Sequence, residues 1–413
     1  MKLVSGDTVW TKVNRIPKKY TYLSENISCD VVIIGGGITG AICGYYFAKA
    51  GIDAVILEKN IIGYGSTSGS TSILQYEIDT DLVGLSTMIG QDNGVRAFKL
   101  CEKAVYDIGN IIEELDDNCD FTYGDCLYYS NKKFDKESLE REYKLRKEHG
   151  FDVEFIDKNK GEKMFSFPIE GGIYSRRGAG EIDPYRFTHS LISKSIERGL
   201  RVFENTEVSD INNLDDGVIV TTKNKFKINA KKAIIATGFE ARNYITEEIV
   251  TLYRTFTLAT RPVNNINGWH NKCIIRDTED SYNYIRPTVD DRILIGGEDI
   301  EIKKRNSKIA SLSHKDPLSI EKYNILEERL KGMFSDIKDI SIEYKFSGIF
   351  GETYDGLPYI GEYKKMPNCY FCLGYGANGI LYAILGGQLL RDMYLGNPSK
   401  DLDLFKFGRE STK

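Results

Sequence analysis

The sequence predicts a mixed α/β protein, with a parallel sheet covered by helices and a second region rich in strands. Three stretches carry that prediction. Residues 30–58 read as strand, glycine turn, helix and strand. Residues 233–238 give a second apolar strand that runs into a tight turn. Residues 251–299 alternate apolar and polar side chains in the manner of β-strands.

The first stretch organises the rest. Val31 to Ile34 is a β-branched apolar run of the kind buried on both faces of a parallel sheet. Gly35, Gly36 and Gly37 follow at once, then Ile38, Thr39 and Gly40, making G-x-G-x-x-G. Gly35 permits a tight turn, Gly37 lets a pyrophosphate approach the backbone, and Gly40 lets helix and strand pack closely. The helical pattern of residues 41–51 stops at Gly51, a suitable residue just past a helix end. Ala54 to Leu57 is a second buried strand closed by Glu58, 18 residues beyond Gly40. An acid there accepts hydrogen bonds from an adenosine ribose, so FAD or NAD fits better than NADP.

The chain has 413 residues, enough for two or three domains, with 41% hydrophobic and 28% charged residues. A net charge of −5 gives no basic face for nucleic acid. The eight cysteines are scattered and read as buried free thiols, which with the lack of a leader-like segment in residues 1–14 implies a reducing, cytoplasmic setting. No membrane span is expected.

After Glu58, residues 63–72 hold six Ser/Thr and three Gly, a loop suited to wrap a phosphate-bearing cofactor. Residues 94–116 carry a helical apolar stripe. Residues 132–149 are charged with alternating sign and read as a solvated helix face. A strand over 171–183 leads into a helix with Pro184 at its first position, where His189 reads as a surface or packing residue. Strands follow over 200–238 and 251–299. A helix is expected over 321–333 and strands over 340–350 and 369–373. A second glycine turn, Gly374 to Gly379, opens a helix to residue 390. Cys369 and Cys372 would point to opposite faces of their strand, so no metal or disulfide is expected of them. No histidine shows metal-ligand spacing, and no metal is expected.

These motifs resemble the FAD-dependent D-amino-acid oxidase superfamily, in its branch of glycine oxidase, sarcosine oxidase and γ-glutamylputrescine oxidoreductase. The markers are VVIIGGGITG with Glu58, the Ser/Thr loop, ENTEV, IIATG, YIRP with RILIGG, DGLPYIG and GYGANGI, which span nearly the whole chain. The resemblance implies a Rossmann-like FAD-binding domain from residues 1–93, 172–245 and 346–413, and an antiparallel-sheet substrate domain from 94–171 and 246–345. It implies cofactor contacts at Gly35 to Gly40, Glu58 and Lys59 for the ADP half. Ser66, Thr67, Thr71, Ser72 and Ile73 would follow the pyrophosphate and flavin edge. Val208 would offer its backbone to adenine, Thr237 and Gly238 would line the phosphates, and Gly376, Ala377, Asn378, Gly379 and Ile380 would place amides near the flavin pyrimidine. The implied chemistry is hydride transfer from the carbon next to an amine nitrogen of a small amine or amino acid to flavin N5, giving an imine that water hydrolyses.

The sequence also departs from the pattern. The carboxylate-binding arginine expected ahead of D-G-x-P-x-I-G is matched by Phe350, and the oxygen-activating lysine by Ile295. No cysteine stands near Phe350 to anchor flavin, so non-covalent FAD is expected, and a dehydrogenase using another electron acceptor is preferred to a fast oxidase. Tyr284 matches a substrate-side tyrosine, and Arg286, two residues on and on the same strand face, could supply the missing charge. A hydroxy-acid or glycerol-phosphate dehydrogenase and a non-catalytic flavin-binding protein remain as alternatives.

Overall fold

Val31 and Ile33 point into one hydrophobic core while Val32 and Ile34 point into another, because a strand sends successive side chains to opposite faces. Ala54 and Ile56 divide from Val55 and Leu57 in the same way. Both faces of this sheet are therefore covered, which is why the strands read as continuous apolar runs rather than alternating ones. The computed structural model describes residues 3–245 and 247–412, so residues 1, 2, 246 and 413 of the expected domain segments lie outside it.

Among the described residues this sheet has eight strands. Its main path runs Tyr359–Tyr363, Met366–Leu373, Lys227–Ile235, Ile27–Ile34, Ala54–Leu57, Arg201–Phe203. From Met366–Leu373 onward all neighbours are parallel, and Tyr359–Tyr363 and the hairpin Val208–Asn213 with Val218–Thr222 add antiparallel edges. The helix Ile38–Lys49 returns across one face and is enclosed by Pro184–Glu197 and Gly379–Tyr394. Cys369 and Cys372 fall into different cores, one on each face of their strand, and all eight cysteines are free.

The second sheet has ten strands among the described residues, in the order Val4–Gly6, Ile342–Glu352, Thr251–Thr260, Ile293–Glu301, Tyr284–Pro287, Ile274–Asp277, Thr122–Ser130, Gly171–Glu181, Ile73–Gln75, with Val153–Asp157 also on Gly171–Glu181. Its pairs are antiparallel except Ile274–Asp277 with Thr122–Ser130. The expected boundary at residue 172 therefore needs correction. Gly171–Glu181 pairs along its length with Thr122–Ser130 and Val153–Asp157, and the chain re-enters the parallel layer only at the helix Pro184–Glu197. Val4–Gly6, Ile73–Gln75 and residues 346–352 also belong to this large sheet.

One further expectation changes, and His189 resolves to the packing alternative. The charged helix, Lys136–Glu148, is not solvated all round. Glu142 and Arg146 are each 1% exposed. Glu142 accepts from the amides of Leu82 and Val83, both at 2.9 Å, which start the helix Leu82–Ile89 and have no partner inside it. Arg146 Nε donates to Glu142 at 2.7 Å and Nη1 to Glu77 at 2.5 Å. Alternation of sign hid a buried ion triad. His189 is buried beside the Tyr185 ring, 4.6 Å between centroids, and burial pushes its imidazole down to about 4. Among the described residues no helix is long and apolar enough to cross a membrane.

Candidate active site

The parallel strands end in turns that share one cavity of about 590 Å³, closed on its other side by the large sheet. Ile34 and Gly35, Leu57 and Glu58, and Ala236 and Thr237 line it as their strands stop. Open α/β sheets bind ligands at this end of their strands.

The glycines divide their work. Gly35 has φ +114°, and a Cβ on it would lie 2.4 Å from the Ala236 carbonyl oxygen. A Cβ on Gly40 would lie 1.9 Å from the Gly35 oxygen, so helix and turn touch backbone to backbone there. Gly37 is not strained. It is extended before the helix and faces the cavity, and a methyl added to it would meet only Thr67 Oγ1 within 4 Å, at 3.1 Å. Thr67 Oγ1 accepts from the Ile38 amide at 2.9 Å, serving one of the helix's free first-turn donors. Glu58 accepts from the Gly36 and Asn60 amides, both at 2.8 Å, and burial raises its carboxyl above the usual range against those bonds.

Of the expected cofactor residues, Gly35, Gly37, Ile38, Thr39, Glu58, Lys59, Ser66, Thr67, Thr71, Ser72, Ile73, Val208, Thr237, Gly238 and Gly376 to Ile380 line the cavity. Gly36 and Gly40 stand behind it, one holding Glu58 and the other setting the helix against the turn. Lys59 is ion-paired to Glu240 at 2.5 Å. The amides of Gly376, Ala377 and Asn378 already donate to the Gly351 carbonyl, the Asp79 carboxylate and the Tyr375 carbonyl. The donors left to a ligand are those of the first turn of Gly379–Tyr394.

Ser66 Oγ, Ser72 Oγ and Thr237 Oγ1 are buried without a hydrogen-bond partner, and all three residues line the cavity. Buried hydroxyls left unpaired cost about 1–3 kcal/mol each, so their clustering fits a polar, phosphate-bearing ligand such as FAD.

The far end is made by the large sheet. Thr255, Arg276, Tyr282, Tyr284, Asp299 and Phe350 line it. Tyr284 Oη and Thr255 Oγ1 are 3.1 Å apart. Arg276 stacks on the Tyr282 ring at 4.3 Å, and its terminal nitrogens donate to the Ile78 and Asp79 carbonyls at 3.3 Å. Asp299 is half-buried. Burial pushes its carboxyl up to about 7 against the Thr255 hydroxyl, with Asp79 and Glu298 adding to the rise. Burial and the charges of Asp79 and Asp299 also lift Glu352 to about 7.

Arg286 is not at this end. Its Nη1 donates to the Ser72 carbonyl at 2.8 Å, Nε lies 3.6 Å from Glu181, and the guanidinium stacks on Trp10 at 5.1 Å. It lines a separate small pocket with Trp10, Asp183 and Asp290. Side chains two apart are about 6.6 Å apart along a strand, enough to carry residue 286 past the cavity and under the 66–72 loop. Ser72 has φ +58°, and the Trp10 indole donates to the Ser70 carbonyl at 2.7 Å, so Trp10 and Arg286 together hold that loop from behind. Ile295, matched to the oxygen-activating lysine, is fully buried in the core of the large sheet and does not line the cavity. Asp299, Arg276, Tyr282 and Thr255 escaped the sequence reading. The one available signal was Arg276 interrupting the apolar run Cys273 to Ile275.

A family described as FAD dependent oxidoreductase matches residues 30–393. The chain is 24% identical over 394 residues to γ-glutamylputrescine oxidoreductase of Escherichia coli K12, covering 92% of this chain and 86% of that one. It is 26% identical over 395 residues to glycine oxidase of Bacillus licheniformis, covering 92% and 97%. The crystal structure of glycine oxidase from Geobacillus kaustophilus superposes with a TM-score of 0.77 at 22% identity, covering 93% of this chain and 99% of that one. L-amino acid deaminase from Proteus vulgaris gives 0.78 at 14%, covering 96% and 100%. A family match across most of the chain, joined to the glycine turn, the acid that closes the second strand and the orphaned hydroxyls, leads to one conclusion: this chain belongs to the FAD-dependent oxidoreductase family, and it is an enzyme whose cofactor is FAD.

Proposed function

We propose that the enzyme oxidises a small amine or amino acid, removing a hydride from the carbon next to nitrogen and leaving an imine that water hydrolyses. The observation that carries this reading is the continuity of one cavity from the glycine turn to a polar end lined by Thr255, Tyr282, Tyr284 and Asp299. Bound FAD supplies the two-electron acceptor.

The chain's own residues bind and orient. Gly35, Gly37, Ile38 and Thr39 offer backbone to the pyrophosphate, with Ser66, Thr67, Thr71, Ser72, Thr237 and Gly238 around it. Glu58 is the ribose acceptor, Lys59 and Val208 flank the adenosine, and Ile73 and Gly376 to Ile380 border the ring. The hydrogen-bonded pair Tyr284 and Thr255 fixes one wall of the substrate end. Arg286 acts through the loop it holds rather than on the substrate. Among the described residues neither Cys nor His lines the cavity, which supports non-covalent FAD. Relatives named for γ-glutamylputrescine and for glycine support an amine or amino-acid substrate.

The test is anaerobic mixing of purified holoenzyme with primary and secondary amines, glycine, sarcosine, D- and L-amino acids and glycerol phosphate, while the flavin visible band is followed. Bleaching by an amine or amino acid is expected. Bleaching by glycerol phosphate alone, or by none of these compounds with FAD present, would overturn the proposal.

A further inference from the structure

The cofactor contacts implied by the resemblance begin at Gly35, but the wall of the cavity begins at Leu3. Val4–Gly6 is the outer strand of the large sheet and pairs antiparallel with residues 346–348. The Ile349 amide donates to the Leu3 carbonyl at 3.1 Å, which carries the pairing on to the cavity. Leu3 and Val4 line it there, with Gly69 and Ser70 from the Ser/Thr loop and Gly348 and Ile349 from the sheet. The segment also grips that loop at two points. Val4 packs on Gly69, where an added Cβ would lie 2.9 Å from Val4 Cγ2 and 3.4 Å from Cγ1. Trp10, 4% exposed, donates its indole N–H to the Ser70 carbonyl at 2.7 Å. The second grip is fixed from behind: Val9 and Trp10 are buried in a small core with Tyr185 and Phe346, and Asn14 Nδ2 donates to Asp183 at 2.6 Å. The first grip rests on three residues of strand, and short edge elements open at lower free energy than the sheet they join.

We infer that residues 3–14 are a clasp on the FAD site. Leu3 and Val4 supply part of the wall that FAD meets. Val4 and Trp10 hold the 66–72 loop against the cofactor, so the closed clasp slows the release of FAD. This holds whatever the enzyme oxidises, since it rests only on FAD as the cofactor. The coupling is reciprocal. A closed clasp that favours FAD implies that bound FAD holds the clasp closed, by the same factor.

The test uses the full chain with FAD bound and reads the rate of FAD release after dilution, as the rise in free-flavin fluorescence. Gly69→Ala drives a methyl against both Val4 methyls. Valine is stiff at χ1, so the strand must move off the loop. Release is then expected to quicken at least about tenfold, as overpacking implies. Val4→Ala in the same chain removes those methyls and should bring the rate back to within about threefold of the parent. A direct clash of the new methyl with FAD would not be rescued in this way. Trp10→Phe keeps a buried ring, loses the indole N–H and should quicken release about fivefold or more. Hydrogen exchange of the parent protein is the second measurement, and it stands if a variant fails to fold. FAD should slow exchange of residues 3–6 at least about tenfold, while Val153–Asp157, a strand with no residue in the cavity wall, stays unchanged. Parental release by Gly69→Ala, no rescue by Val4→Ala, parental release by Trp10→Phe, or equal exchange of residues 3–6 with and without FAD would each overturn the inference.

Discussion

Gly40→Ala and Gly37→Ala test the two halves of the nucleotide turn separately. At residue 40 a methyl would lie 1.9 Å from the Gly35 carbonyl oxygen, whereas real Cβ contacts do not fall below 3.0 Å. The atom in the way is backbone, so the helix Ile38–Lys49 must retreat from the turn by about 1 Å. Enclosure by Pro184–Glu197 and Gly379–Tyr394 resists that movement. Overpacking of this kind costs about 1–3 kcal/mol, and the roughly 1 kcal/mol gained from alanine's helix propensity offsets only part of it. The same retreat draws the helix N-terminus away from the phosphates. Residue 37 differs, because its nearest neighbour is a threonine hydroxyl at 3.1 Å that can shift, and the methyl would project into the cavity. Gly40→Ala should therefore lower the melting temperature of apoprotein and holoprotein alike, with FAD affinity falling about tenfold or more. Gly37→Ala should leave the apoprotein melt unchanged and weaken FAD only. Thermal melts with and without FAD, and flavin absorbance per mole of protein, separate the cases. A Gly40→Ala protein that melts at the parental temperature and purifies fully yellow would refute the contact argument.

Other outcomes follow from the buried charges. Arg146→Met should destabilise the fold by about 3–5 kcal/mol, since Glu77 and Glu142 lose their buried counter-charge. A urea titration showing a loss below about 1 kcal/mol would contradict the triad's role. Arg286→Met should weaken FAD by about tenfold through the Ser72 loop while n-butylamine affinity of the reloaded enzyme stays unchanged. A change confined to amine affinity would return Arg286 to the substrate. His189, lowered to about 4 in the fold, binds its proton more weakly there than in the unfolded chain, where it titrates near 6.5. Its contribution is full above about 6.5 and is lost as pH falls toward 4, by about 3 kcal/mol in all. His189→Leu should flatten stability against pH across that window, and an unchanged slope would exclude His189 as its source.

The parallel layer was legible because its signals are local. A doubly buried strand must be apolar throughout, a nucleotide turn needs glycine where backbone meets backbone, and helix Pro184–Glu197 announces itself with Asp183 accepting from the amides of Tyr185 and Arg186. The boundary at 172 was not legible. Gly171–Glu181 is a strand whichever sheet it joins, and only its partners at residues 122–130 and 153–157, far away in sequence, decide the matter. The charged helix failed for a related reason. Periodicity marks apolar faces, and a buried Glu142–Arg146 pair at i, i+4 has the spacing of a solvated one.

The site divides along the same line. The expected cofactor residues sit on turns whose sequence is their geometry, so Gly35, Gly37 to Thr39, Glu58 and the Ser/Thr loop meet around one cavity. Substrate residues sit on strands of the large sheet, where sequence gives the face but not the point at which the strand crosses the cavity. Arg286 and Tyr284 share a face, yet Tyr284 reaches Thr255 at the cavity and Arg286 reaches Ser72 behind it. Arg276, on the neighbouring strand and paired with Tyr284 across it, does line the cavity. Its guanidinium meets Asp79 and two carbonyls, and its Nε is buried without a partner. Of the two arginines, Arg276 thus lies in the cavity wall and Arg286 behind the 66–72 loop, a difference set by where each strand crosses the cavity rather than by the residue pattern along it.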